Sequence, residues 1–198
     1  MNEPIYNDWF LKEKIDGKIY LMARPSDKHI DVQGNIATIF NNYFRLKKKK
    51  CIARSESQLD IDDDNYLIPD VMVFCYNTNK NIPVIVVEIL SKWTRKNDLG
   101  IKMKKYAELG IKEYWIIDWM HCTIDIYILK DRIYEKYESY AYYTEEDFSK
   151  YPKIRDEQKA EAEIIESFSP FIIPEMTILL EDVFYFVDEN IEEEGETI

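Results

Sequence analysis

The sequence predicts an α/β domain in the broad sense, an α+β mixed sheet with helices packed against it, and three observations carry this. Short runs rich in β-branched and aromatic residues alternate with longer runs of helical period, in the order helix, three strands, helix, strand. Val84–Leu90, Val-Ile-Val-Val-Glu-Ile-Leu, is apolar at both strand parities apart from Glu88, as in a strand buried on both faces. No internal repeat or linker divides the 198 residues, so one domain is expected over 1–187, followed by an acidic tail over 188–198.

The elements follow in chain order. After a short segment at Ile5–Leu11, the stretch Lys14–Met22 carries Asp16-Gly17 between extended residues, the signal of a tight hairpin. Ser26-Asp27 offers a helix N-cap, and Ile30, Ala37, Phe40 and Phe44 recur at helical spacing as far as Leu46, before four lysines at 47–50. Three strand-like runs, Cys51–Leu59, Tyr66–Cys75 and Pro83–Leu90, lie between polar loops. A second helix over Lys96–Leu109 ends at Gly110, suited to a left-handed cap. Glu113–Asp118 reads as a strand, and Thr123–Leu129 with Arg132–Tyr143 as two tyrosine-rich strands. Residues 144–162 read as a polar loop with a helical turn. Phe171–Ile173 and Leu179–Phe186 supply closing apolar elements, and the fold as a whole is expected to carry a C-terminal β extension.

Composition excludes some classes. No run reaches the length of a membrane span, and the opening residues lack the basic-then-apolar layout of a signal peptide, so a cytoplasmic protein is expected. Cys51, Cys75 and Cys122 are odd in number and widely spaced, which predicts buried reduced thiols and neither a disulfide framework nor a Cys-x-x-Cys zinc site. The net charge of −12 is unevenly placed: residues 1–110 carry 18 Lys+Arg against 15 Asp+Glu, and residues 111–198 carry 8 against 23. The N-terminal half is therefore free to meet a polyanion.

The chemistry centres on two carboxylates. Glu88 in a doubly buried strand costs several kcal/mol unless compensated. Asp70, just after Pro69 in the neighbouring strand-like run, is the nearest candidate to share its compensation. Two such carboxylates can converge on one divalent cation.

A set of ordered blocks surrounds them: Glu13-Lys-Ile-Asp-Gly17, Ser26-Asp-Lys-His29, Pro69-Asp70-Val, Val87-Glu88-Ile-Leu-Ser91, Thr94-Arg95, Asp98-Leu-Gly-Ile-Lys102, Tyr106, and Gly110-Ile-Lys-Glu-Tyr-Trp-Ile-Ile-Asp118. Together they resemble the bacterial Uma-type restriction endonuclease family of the PD-(D/E)XK nuclease superfamily, over residues 10–186. The resemblance implies a restriction-endonuclease-like core and a metal-dependent endonuclease that hydrolyses DNA phosphodiester bonds. It implies that Asp70, Glu88 and the backbone carbonyl of Ile89 ligate Mg²⁺ or Mn²⁺, with Glu13 as an added acidic ligand. The metal would generate the attacking hydroxide and neutralise the phosphate.

The superfamily lysine normally stands two residues after the glutamate, where this chain has Leu90. Lys102 on the following helix shares a face with Asp98 and Tyr106 and is the expected replacement; Lys92, of the same strand parity as Glu88, competes. His29 follows the N-cap and could face the site, yet it and His121 read as structural; the run Asp60–Asp64 reads as a solvated turn, and Trp93, Tyr114 and Trp115, which could stack on bases, as core aromatics. A nuclease fold turned binding or regulatory module is the alternative. Oligomeric state stays open, with residues 123–143 available for pairing in a homodimer.

Overall fold

The computed structural model describes residues 11–22, 24–76, 82–92, 94–143 and 165–187, with Asp147 and Ser149. The expectations for residues 5–10, for most of 144–162 and for the tail from 188 fall outside the described residues.

The chain opens with β1 (Lys12–Ile15) and β2 (Lys18–Leu21), joined by Asp16-Gly17 as expected. Both turn residues have positive φ, 49° and 76°, the backbone of a turn whose twist suits a two-residue hairpin. Helix α1 (Asp27–Leu46) starts where Ser26, in extended conformation, accepts the His29 amide on its side chain at 3.3 Å. Its buried face is His29, Val32, Gln33, Ile36, Phe40 and Phe44, so Ile30, expected on the core stripe, is instead 47% exposed. One residue of helix rotates a side chain about 100°, and the Val32–Ile36–Phe40 row fixes which face turns inward.

Two predicted strands are each split in the structure. Cys51–Leu59 becomes β3 (Cys51–Ser55) and the start of β4 (Leu59–Asp62). Tyr66–Cys75 becomes β5 (Asn65–Leu67) and β6 (Val71–Cys75), interrupted at Ile68-Pro69-Asp70, where proline has no amide to donate to a ladder. Strand β7 (Ile85–Ile89) follows. A continuous helical segment then runs through α2 (Arg95–Asn97), a π-helical turn (Asp98–Lys102) and α3 (Met103–Leu109), closed by Gly110 at φ 84°. Strands β8 (Glu113–Asp118), β9 (Thr123–Lys130) and β10 (Ile133–Ala141) complete the main sheet. The closing segment is β11 (Ser167–Phe168), β12 (Ile178–Leu179) and the short helix α4 (Leu180–Val183).

The six-stranded sheet has the order β10-β9-β8-β7-β6-β3, antiparallel except for the central parallel pair β7–β8. A smaller sheet, β2-β1-β5-β4, stands beside it. Strand parity sorts the two cores. Ile85, Val87, Ile89, Trp115 and Ile117 join the cluster built on the apolar face of α1. Val86, Leu90, Tyr114 and Ile116 join the one containing Tyr106. Glu88 has the parity of Val86 and Leu90 and is thereby aimed at the helical segment that carries Lys102.

The expectation of three reduced thiols is corrected: Cys51 and Cys75 form a disulfide, and Cys122 is a buried thiol outside it. The β3–β6 register sets Cys51 directly opposite Cys75, a pairing that a separation of 24 residues does not reveal without the register. Among the described residues no helix is long and apolar enough to cross a membrane.

Candidate active site

Asp70 and Glu88 meet across two strands. The last ladder pair of β6 and β7 is Val71↔Val87, and one step further the register faces Asp70 with Glu88. Asp70 is held from three sides. Its Oδ2 accepts the Ile89 amide at 2.6 Å, its Oδ1 lies 3.0 Å from His29 Nε2, and its carbonyl accepts Gln33 Nε2 at 3.1 Å. Because a strand residue presents its N–H and C=O to the same side, the Ile89 carbonyl is turned toward Asp70 as well.

Glu88 and Lys102 form the buried centre. Lys102 Nζ lies 2.9 Å from Glu13 Oε1, 3.2 Å from Glu88 Oε1 and 3.2 Å from Asp98 Oδ1. The Tyr106 hydroxyl donates to Glu88 Oε1 at 2.5 Å. Glu13 Oε1 also accepts the Ile68 amide at 3.0 Å, which ties the ribbon to the break between β5 and β6. All of these side chains are almost fully buried, Lys102 and Asp98 at 1% exposure. The Asp98 contact is ionic, without the alignment of a hydrogen bond. A π turn at Asp98–Lys102 fits a functional position, where such turns concentrate.

The charge balance is unusual. Three carboxylates surround one ammonium in a dry setting. Burial drives the Glu88 carboxyl well above its ordinary range; Asp98, Asp70 and Glu13 push it further, and Lys102 opposes. Burial also raises Asp98, against the pull of Lys102. For Lys102 burial acts downward, yet Glu88, Asp98 and Glu13 together hold it well above the usual lysine range, so it stays charged.

Asp70, Glu88, Ile89 and Lys102 border one cavity of about 1200 Å³. The Ile89 side chain is packed in the α1-side core, so the strand backbone is what faces the cavity. His29 lies on the cavity wall, and Lys92, exposed, borders it too. The structure thus brings Glu13, Asp70, Glu88 and Lys102 into one cluster.

The donor set suits a hard divalent cation. Two carboxylates and a backbone carbonyl are oxygen ligands of the kind that Mg²⁺ takes while keeping waters and substrate phosphate in its remaining positions. Among the described residues, Tyr106 and Lys102 act on Oε1 of the Glu88 carboxylate and neither acts on Oε2. Among the described residues, no group of three or more His, Cys, Asp or Glu side chains is arranged as a ready-made metal cage. Glu13 is engaged by Lys102 and Ile68 and does not border the cavity.

Sequence reasoning missed several neighbours. His29, which its place after the Ser26 N-cap allowed to face the site but which was read as structural, reaches Asp70 from the first turn of α1. Tyr106 and Asp98 were legible only as sharing a helix face with Lys102. Tyr114 and Trp115 are fully buried, as expected. Trp93 falls outside the described residues. Among the described residues, the aromatic bordering the cavity is Trp119, which the sequence did not single out.

A mixed α+β fold with paired carboxylates at the ends of the interior strands β6 and β7, and a helix lysine beside them, frames the class, and comparisons with known proteins give the family. The profile of the Uma2 family, described as putative restriction endonuclease, matches residues 5–155, and the chain belongs to that family. It is similar to a crystal structure of a putative nuclease belonging to DUF820 from Anabaena variabilis. The TM-score is 0.65 and the identity 19%, with 89% of this chain and 90% of that one covered; a likeness at this identity speaks for the fold. It is also 31% identical over 128 residues to the uncharacterized protein slr1290 of Synechocystis sp., an alignment covering 60% of this chain and 66% of that protein.

Proposed function

We propose that this chain is a metal-dependent endonuclease acting on DNA phosphodiester bonds. The observation that carries the reading is Lys102, charged and buried against Glu88 at the wall of the cavity that Asp70 and Ile89 also border. A nuclease needs a fixed cation beside the scissile phosphate, and a lysine locked by carboxylates supplies one without reorganisation. Asp70, Glu88 and the Ile89 carbonyl would hold Mg²⁺ or Mn²⁺. When bound, the ion supplies Lewis-acid charge that activates water and neutralises the phosphate.

The chain's own groups do the rest. His29 and the Ile89 amide orient Asp70, and Tyr106 and Lys102 engage Glu88 Oε1 so that Oε2 is the oxygen available to the cavity. Glu13 and Asp98 hold the Lys102 ammonium in place. Lys102 stabilises the charge that grows on the phosphate oxygens, worth roughly 2–4 kcal/mol for one such donor. In this arrangement Glu13 acts through Lys102, and a direct metal contact by Glu13 requires it to leave that ammonium.

The test is nicking of supercoiled plasmid by the purified chain with Mg²⁺ and Mn²⁺, in the wild type and in Asp70→Asn. Cleavage that needs both metal and Asp70 supports the reading. A second reading, a nuclease fold that only binds, draws on Asp70 having both oxygens already engaged by the protein. Under it Mn²⁺ would raise the melting temperature of wild type and Asp70→Asn alike.

A further inference from the structure

We propose that the cavity beside Asp70 and Glu88 is a nucleobase pocket, and that the strand it takes is single-stranded DNA in preference to an intact duplex. This deepens the nuclease reading, resting on it for the identity of the ligand as DNA, and it is argued from the walls of the cavity.

Part of that wall is apolar and faces solvent, beside its polar and charged groups. Trp119 is half-buried, while Met120, Ile30 and Leu11 are 44%, 47% and 40% exposed, and all four border the cavity. They come from three separate elements: the turn after β8, the first turn of α1 and the residue before β1. Large apolar side chains kept in water around a polar site mark a ligand with an apolar face. A phosphate has none; a base has two.

The turn that carries Trp119 and Met120 is built to stay in place. Asp118, at the end of β8, pairs through Oδ2 with Arg95 Nη1 at 2.9 Å and with His121 Nδ1 at 3.0 Å, and the His121 amide donates to the Asp118 carbonyl at 3.3 Å. The Cys122 thiol donates to the Trp119 carbonyl at 3.7 Å. A fixed aromatic platform stacks a base with little loss of side-chain freedom.

Charge decides between duplex and single strand. A protein that grips a duplex lays a run of cations along its phosphates. Among the described residues, the solvent-facing cations bordering this cavity are Arg24 and Lys92, set against Asp27 and Glu56 at the same border. Lys102, the third cation there, is 1% exposed and held by three carboxylates, so it serves one phosphate beside it and adds nothing to a run along a duplex. Within the cavity a phosphate run has few cations to meet, whereas the apolar wall offers stacking, which needs an unpaired base. The recess points the same way: Glu88 is 2% exposed at the cavity wall, reached more readily by a flexible strand than by a stacked helix.

The experiment is fluorescence anisotropy of the full chain in EDTA, where metal-dependent cutting is silent, with labelled oligothymidylate and with a labelled duplex of equal length. The single strand should bind about tenfold or more tighter, and Trp119→Leu should weaken it roughly 5–150-fold, the loss of one stacked base, while leaving duplex binding unchanged. Trp119 also packs partly against the core, so Met120→Ala and Ile30→Ala, both at exposed positions, are measured beside it and should each weaken the single strand several-fold. Equal affinity for the two probes, or single-strand affinity indifferent to all three substitutions, overturns the pocket. Metal-dependent plasmid nicking by that same indifferent protein would leave the nuclease reading standing. Single-strand binding that depends on Trp119 in a protein that cuts nothing would keep the pocket and remove the nuclease.

Discussion

Lys102 reaches Glu88 from 14 residues further along the chain, Nζ to Oε1 at 3.2 Å, with both side chains out of water. The nuclease superfamily's usual lysine lies on the strand itself, two residues past the glutamate, and here that position is the buried Leu90. A helix lysine thus occupies the place beside the glutamate that a strand lysine would fill, and Glu13 and Asp98 keep it there.

Removing that ammonium strands three buried carboxylates. Lys102→Met is expected to destabilise the fold by about 3–5 kcal/mol, the cost of breaking one side of a buried charge cluster. Lys92→Ala, at an exposed site, should stay within about 0.5 kcal/mol. Urea unfolding monitored by tryptophan fluorescence distinguishes them; equal stabilities would mean that Lys102 does not sit among these carboxylates.

The pH dependence follows from Glu88. Its folded-state pKa is raised above the unfolded value, so the stability it contributes is fully present below the ordinary carboxylate pKa and is lost as pH rises through the folded value. Glu88→Gln cannot ionise. In EDTA, the melting temperature of Glu88→Gln relative to wild type should therefore climb as pH rises above the ordinary carboxylate range, with each kcal/mol worth about 2–4 °C in a chain of this size. A difference that shrinks with rising pH would place Glu88 in a setting that favours its charge.

Tyr106→Phe deletes one hydroxyl from a charged acceptor at 2.5 Å and little packing. The expected loss is about 1.5–3 kcal/mol of stability, with weaker Mn²⁺ binding by calorimetry because Lys102 alone then holds Glu88 by Oε1. Unchanged Mn²⁺ affinity would reduce Tyr106 to a packing residue.

Thiol counting tests the cross-strand disulfide. Alkylation of unfolded, unreduced protein should modify one cysteine, Cys122, and reduction should expose all three. Three reactive thiols before reduction would restore the expectation drawn from composition.

Much of this site was legible in the sequence, for reasons that lie in particular residues. Glu88 announced itself by interrupting a doubly apolar strand, and Asp70 by following Pro69, which ends one strand and lets the next begin at Val71. Gly110 and Asp16-Gly17 fixed a cap and a turn through local backbone chemistry. What stayed hidden depends on register and rotation. Cys51 meets Cys75 only through the β3–β6 ladder, and His29 meets Asp70 only because α1 turns Val32 and Ile36 inward. Ile30 shows the same limit: an apolar residue at helical spacing reads as core until packing decides the face, and here it borders the cavity.

The central claim is that Asp70 and Glu88 form a metal site that cuts DNA, and plasmid nicking against Mg²⁺ and Mn²⁺ concentration measures it most directly. Wild-type protein should convert supercoiled plasmid to nicked and linear forms in a metal-dependent way, and Asp70→Asn and Glu88→Gln, each shown folded by thermal melting, should not. Nicking that persists in either variant, or folded wild-type protein that cuts neither plasmid nor single-stranded DNA at any concentration of either metal, would contradict it.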